Sequence, residues 1–291
     1  MTTNNATNRT IRVPGAPEIS RLTFRGFRGE ADYASMLAVI EGSKEADGLE
    51  RTDTLDDVVR NYKHLTNCDP YRDMLFAEVD GEVIGYSRTW WLDDLDGNRL
   101  YPHFGFLLPE WRGQGIRQAM LAYNEQHLCA VDAGLPANGP RLFEVWASDT
   151  ETHWVSLLAE SGYQGVRFGF SMVRPDLENI PDLPLPEGIE FRPARPEHYR
   201  PIWEAAREAF RDEWGYSEAE WSAEQFESWQ AEPTFEPSLW QIAWDGDEVV
   251  GMVLNFINRK ENAEYHRQRG YTETICVRRP WRRRGGAPGI C

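Results

Sequence analysis

FGFLLPEWRGQGIR, residues Phe104 to Arg117, is the stretch that decides how the first half of this 291-residue chain is read. Phe104 to Leu108 is an apolar run with the length and composition of a buried strand, and Pro109 ends it. Gly113 and Gly115 punctuate the turn that follows. From Ile116 the apolar residues Met120, Leu121, Leu128 and Val131 recur at helical spacing, until Gly134 and Pro136 stop the helix. A strand, a glycine-bearing turn and a helix N-terminus together present unpaired backbone N–H groups at the positive end of a helix dipole, which suits a phosphate or pyrophosphate. The pattern is also common structural punctuation, so the spacing has to narrow it. No Gly-Lys-Ser/Thr follows, which excludes a P-loop. The third position of a dinucleotide fingerprint holds Gln118, which excludes that as well.

Working outward, the same order of elements occurs twice. SRLTFRGFRG predicts a strand, 31–42 and 55–66 two helices, and MLFAEVDGEVIGYSRTWW with RLYPHFGFLL three strands. After the motif helix, RLFEVWA predicts a fifth strand, 151–161 a fourth helix and 163–173 the closing strands. The Pro-rich stretch NIPDLPLPEG, 179–188, breaks regular structure and reads as a linker. Beyond it GIEFRPAR, a helix over 199–214, a second within 218–230, and LWQIAWDGDEVVGMVLNFIN with YTETICVRR repeat the plan. AEVDGEVIGYS from Ala77 echoes AWDGDEVVGMV from Ala243, each with a D-G turn between apolar runs. LLPEWRGQGIR echoes VRRPWRRRGGA, which aligns Trp111 with Trp281 and Arg112 with Arg282. The expected domains are a loose tail over 1–17, a complete domain over 18–178, the linker, and a second domain over 189–291 that stops inside its own motif.

Composition sets the outer limits. A hydrophobic share of 41% with 12 Trp fits a folded protein, and no apolar run approaches the length of a membrane helix. The polar start MTTNNATNRT lacks the pattern of a signal peptide, and the four scattered cysteines form no Cys-x-x-Cys pair, so a reduced cytoplasm and no metal are expected. A formal net charge of −16 opposes binding to nucleic acid or to an anionic membrane. Against that background Arg278, Arg279, Arg282, Arg283 and Arg284 form one local basic run. Such runs are usually solvated surface.

The pattern V-x-P-x-x-R-x-x-G-x-G/A at the end of a fourth strand, met here as Leu107 to Arg117, is similar to motif A of the GNAT N-acetyltransferases. In 20–174 the order of elements matches that fold throughout, including Gly162-Tyr163 where the family has Gly-Phe. The resemblance implies an α/β (α+β) architecture: a mixed central sheet flanked by helices, duplicated, with the second copy incomplete. It implies acyl transfer from acetyl-CoA to an amine of a small molecule or peptide. Phe106, Leu107 and Leu108 would hold the pantetheine, and Arg112, Gly113, Gln114, Gly115, Ile116 and Arg117 the pyrophosphate. In the second copy Ile275, Cys276 and Val277, then Arg282, Arg283, Gly285 and Ala287, take those places. Glu144 on the fifth strand of the first copy and Glu273 on the fourth strand of the second are the candidate bases.

The chain departs from the family's pattern in three respects. Leu158 stands where many relatives carry a Tyr that protonates the leaving thiolate, and leucine donates no proton. Arg117 stands where Gly or Ala is usual, either as an extra phosphate ligand or as a plug. The ending GGAPGIC leaves no room for a motif helix, so the second copy is expected not to complete a cofactor site, and a frameshift or truncated gene model is the expected cause. Its exposed fourth-strand edge would then favour a dimer. A non-catalytic CoA-binding or scaffold protein is the rival reading. His103 reads as a packed strand residue. Trp203, Phe210, Trp214 and Trp221 read as core residues at helical spacing, or as the lining of an acceptor pocket.

Overall fold

The computed structural model describes residues 10–137, 139–180 and 183–283. The chain divides into two compact units, Met1–Gly165 and Val166–Cys291. In the first unit β1 (Leu22–Arg25) leads through a 3-10 turn to α1 (Tyr33–Lys44), α2 (Leu55–Asn61) and the short α3 (Pro70–Asp73). Then come β2 (Met74–Val79), β3 (Glu82–Thr89), β4 (Leu92–Asp93) and β5 (Arg99–Leu107), followed by α4 (Ile116–Asp132), β6 (Arg141–Glu144) and α5 (Thr152–Glu160). Thr54 starts α2 as a capping box, its hydroxyl accepting from Asp57 N while the Asp57 carboxylate accepts from Thr54 N. The sheet order is β1-β2-β3-β5-β4, with β6 parallel to β5 on its other edge.

The β2–β3 hairpin turns on Asp80 and Gly81, both at positive φ, the two-residue turn whose twist matches antiparallel strands. Apolar residues alternate between the two faces of the sheet. Phe24, Leu75, Ala77, Ile84 and Leu107 meet Ile116, Ala119 and Met120 of α4 on one face. Met74, Phe76 and Tyr86 meet Met36, Val39 and Ile40 of α1 and Val58 of α2 on the other. α5 packs Trp154, Leu157 and Leu158 against Leu121.

The second unit runs β7 (Ile189–Phe191), α6 (Tyr199–Phe210), α7 (Ala223–Gln230), β8 (Gln241–Asp245), β9 (Glu248–Phe256), α8 (Arg259–Glu264) and β10 (Tyr271–Val277). Its sheet order is β10-β9-β8-β7, antiparallel throughout, so β10 is an edge strand among the described residues. Ile202, Ala205 and Ala206 of α6 cover one face through Ile242, Met252 and Leu254.

Three details differ from the sequence-based expectation. The fifth strand covers Arg141–Glu144 and not the whole of RLFEVWA. The described residues after α5 form no closing strand: Phe168 and Phe170 are 74% and 85% exposed. Their apolar alternation has the period of a strand, but a strand forms only where an edge pairs with it. The helix α8, nucleated by the Asn258 side chain accepting from Glu261 N, stands between β9 and β10, where the sequence reading places no element.

Candidate functional site

The site of the first unit is built on the free half of β5. β5 pairs with β6 only from Arg99 to Pro102, opposite Arg141 to Glu144, and then runs on alone along that edge to Leu107. Leu108 N donates to Ile84 O on β3, so by the two-residue period Phe106 also turns its peptide groups toward β3. His103, Gly105 and Leu107 turn theirs to the open edge. Of Phe106, Leu107 and Leu108, Leu107 is the one whose backbone faces the groove. Gly105 joins it, a residue that the motif spacing did not single out.

Past β5 the chain makes a 3-10 turn and then the glycine turn. Gly113 and Gly115 sit at φ 72 and 85, in the left-handed region that favours glycine, and Gly115 caps α4. Gln114 is exposed on this turn, whereas Ile116 is fully buried in the core against β5. The Arg112 side chain and Gly113 N of this turn are engaged internally. Arg112 donates from Nε to Leu107 O at 3.0 Å and from its two terminal nitrogens to the Asp47 carboxylate at 2.7 and 2.8 Å. Gly113 N donates to His153 Nε2 at 3.1 Å. Burial, and then the charges of Arg117 and Arg112, hold the His153 pKa below its ordinary value, which keeps the ring neutral and able to accept.

Arg117 is 3% exposed. Its Nε donates to Gly105 O at 2.8 Å, its guanidinium lies 4.0 Å from the centroid of the Trp154 ring, and its Nη2 is 4.0 Å from Glu151. Its Nη1 is buried without a partner. Desolvation, then repulsion from Arg112, lowers its pKa to about 10, which Glu151 and Asp47 partly oppose.

Glu144 closes β6 opposite Pro102 and accepts from Trp146 Nε1 at 3.1 Å. Leu158 is buried among Leu121, Trp154 and Leu157. A hydroxyl does reach this region, from Tyr163. Tyr163 donates to Glu125 Oε1 at 2.9 Å and lies 2.8 Å from His103 Nε2. Because the phenol proton goes to the carboxylate, His103 donates to the phenol oxygen from Nε2, and its buried Nδ1 is an acceptor without a donor. Burial lowers the His103 pKa to about 4 and, with Glu125, raises that of Tyr163. Sequence reading names His103 and the Gly-Tyr pair, but nothing in their spacing joins them.

The second unit repeats the scaffold. Val277 O accepts from Arg282 Nε at 2.8 Å, and Arg282 also engages Asp212 and Ala209 O, as Arg112 engages Asp47. Glu273 and Cys276 flank a bulge in the β9–β10 pairing, and Ile275 within it is 51% exposed. Arg278 N donates to Val250 O, so Cys276 faces β9 and Val277 faces outward. Burial pushes the Cys276 thiol up to about 12, which removes it as a nucleophile, and partial desolvation raises the Glu273 carboxyl. Arg283 is exposed; Gly285 and Ala287 lie outside the described residues. Trp203 packs against Trp221 and Trp229 with ring centroids 4.7 and 5.3 Å apart, as part of the core. Among the described residues no His, Cys, Asp and Glu group could hold a metal, and no helix is long and apolar enough to cross a membrane.

Comparison with known proteins gives the family and the fold. A model of the Acetyltransferase (GNAT) family matches residues 38–134 and 203–287, one segment in each unit. The mycothiol acetyltransferase of Geodermatophilus obscurus is 28% identical over 229 residues, covering 76% of this chain and 67% of that protein. That of Streptosporangium roseum is 26% identical, covering 77% and 61%. The chain thus spans roughly two thirds of the length of these curated relatives. In fold it resembles the GCN5-related N-acetyltransferase from Sphaerobacter thermophilus, with a TM-score of 0.62 at 24% identity over 94% of this chain and 81% of that one.

Proposed function

The chain belongs to the GNAT acetyltransferase family, and from that premise we propose that it transfers an acyl group from acyl-CoA to the amine of a small molecule. The observation that carries this reading is the repeated strand edge. β5 and β10 each turn peptide groups outward at alternate residues, and each ends in a turn whose arginine is tied back to the strand's own carbonyl and to an aspartate. Such an edge can pair with the amide groups of pantetheine as a strand would, and an outward N–H can stabilise the oxyanion of an attacked thioester.

The chemistry needs little more. An alkylammonium with a pKa near ~10 first gives up its proton, since only the free amine attacks. The nitrogen bonds to the thioester carbonyl carbon, the C–S bond breaks, and the thiolate leaves to take up a proton. Glu273 suits the base role in the second unit, because it stands beside the bulge of β10 and desolvation raises its proton affinity. Glu144, on β6, would be the base of the first unit were its groove open to the donor. Gly113, Gln114 and Gly115 form the turn that would face the diphosphate, and Arg283, with Gly285 and Ala287 beyond it in the sequence, holds the corresponding motif positions. The relatives' name directs the first choice of acceptor to the amine that mycothiol acetyltransferases acetylate.

The test is release of free CoA thiol from acetyl-CoA by the full chain, followed with a thiol-reactive chromogen across a panel of amines headed by that acceptor. Amine-dependent release with formation of the N-acetyl product is expected. Release no faster than hydrolysis with every amine would overturn the proposal.

A further inference from the structure

We infer that Arg117 closes the groove of the first unit, so that this unit does not take the acyl donor and the chain's transfer chemistry does not use it; the inference rests on the acyl-CoA reading above. A donor seated there would run from the glycine turn along the open edge of β5 toward Pro102, where β6 begins to pair. Arg117 leaves the first turn of α4 and crosses that strip. It binds Gly105 O at 2.8 Å and its guanidinium sits 4.0 Å from the centre of the Trp154 ring of α5, so one side chain joins β5, α4 and α5. At 3% exposure it leaves no solvent layer to displace. A pantetheine arm is about as thick as an extended peptide and needs the same edge groups, so it and the guanidinium exclude each other.

One neighbouring group is closed as well, since Gly113 N is spent on His153. The Leu107 O–Arg112 tie recurs in the second unit as Val277 O–Arg282 and so belongs to the scaffold of both. Two polar groups that would face a donor, Gly105 O on β5 and Gly113 N on the turn, are therefore satisfied from within the first unit. The arrangement is not free of cost, since Nη1 of Arg117 is buried without a partner. Gly105 O and the face of Trp154 offset part of that. In the second half the aligned motif position is Ala287 in the sequence, and a methyl group cannot span such a groove. Leu158, where a proton donor would be needed, agrees with a first unit that does not turn over.

Hydrogen exchange of the full chain with and without acetyl-CoA tests this, read in peptides covering 103–118 and compared with those over 271–283. In the wild type no donor-dependent slowing is expected over 103–118. In Arg117→Gly, which restores the family residue, those amides should slow about tenfold at a donor concentration near ten times Kd. Donor-dependent slowing over 103–118 in the wild type would overturn the closure, as would a folded Arg117→Gly that gains none. The wild-type arm decides even where the variant fails to fold. Loss of thiol release with every amine would sink the acyl-transfer reading instead, which keeps the two failures apart.

Discussion

At the scale of single residues, His103 is the sharpest case of a side chain whose setting defines its chemistry. The ring is 2% exposed, bonded to Tyr163 through Nε2, and held neutral by burial with a pKa lowered to about 4. Above pH ~6.5 both folded and unfolded chains carry it neutral, and it contributes no pH dependence. As pH falls from there toward 4 the unfolded chain takes up a proton that the folded chain refuses, so stability declines by up to about 3 kcal/mol at ~1.4 kcal/mol per pH unit. Below the folded pKa the loss stops. His103→Gln, which keeps a donor for the phenol oxygen, should flatten the fall of the urea midpoint between pH 6.5 and 4.5. A slope equal to the wild type's would show that the protons are bound elsewhere. The residue types at the site were readable in the sequence: Gly113, Gly115, Arg117 and Leu158 all stood out by position. Their partners were not. Asp47 and His153 lie far from the motif along the chain, and no spacing rule carries a guanidinium to an aspartate 65 residues away.

At the scale of elements, the arginine tie is what fixes each strand end to the helix region before it, and its two copies differ in burial. Asp47 and Arg112 have side chains 5% and 11% exposed, while Asp212 and Arg282 are 38% and 35% exposed. Removing one partner of a buried pair strands the other charge, at a cost of about 3 kcal/mol or more, whereas an exposed pair is screened by water and salt. Asp47→Ala should therefore lower the urea midpoint of the first unit strongly. Asp212→Ala should leave the second unit's midpoint nearly unmoved, and equal effects of the two substitutions would refute the distinction. Hairpins, motif strand and long helices were legible because a single local pattern specifies each. The length of β6 and the absence of closing strands were not, since pairing depends on an edge that the segment itself does not encode.

At the scale of the whole chain, the duplication was legible from the order of elements and from two short echoes. The use made of its basic run was not. Arg278 binds Glu208 and Glu248, and Arg279 and Arg282 share Asp212, so three of the five arginines are matched by acidic groups of the same unit. The remaining field is that of a chain with a formal net charge of −16. A polyanion gains affinity by releasing counterions to cations that are free to replace them, and a cation already paired with a carboxylate offers little of that gain. Through Arg278, Arg279 and Arg282 the run consequently braces the end of β10, and little affinity for nucleic acid is expected of it. Full-length protein should pass through a heparin column at about 0.15 M salt and show no shift of a duplex DNA in the same buffer. Retention that weakens with added salt, and that Arg283→Ala abolishes, would instead identify an unpaired basic surface strong enough to outweigh the acidic whole.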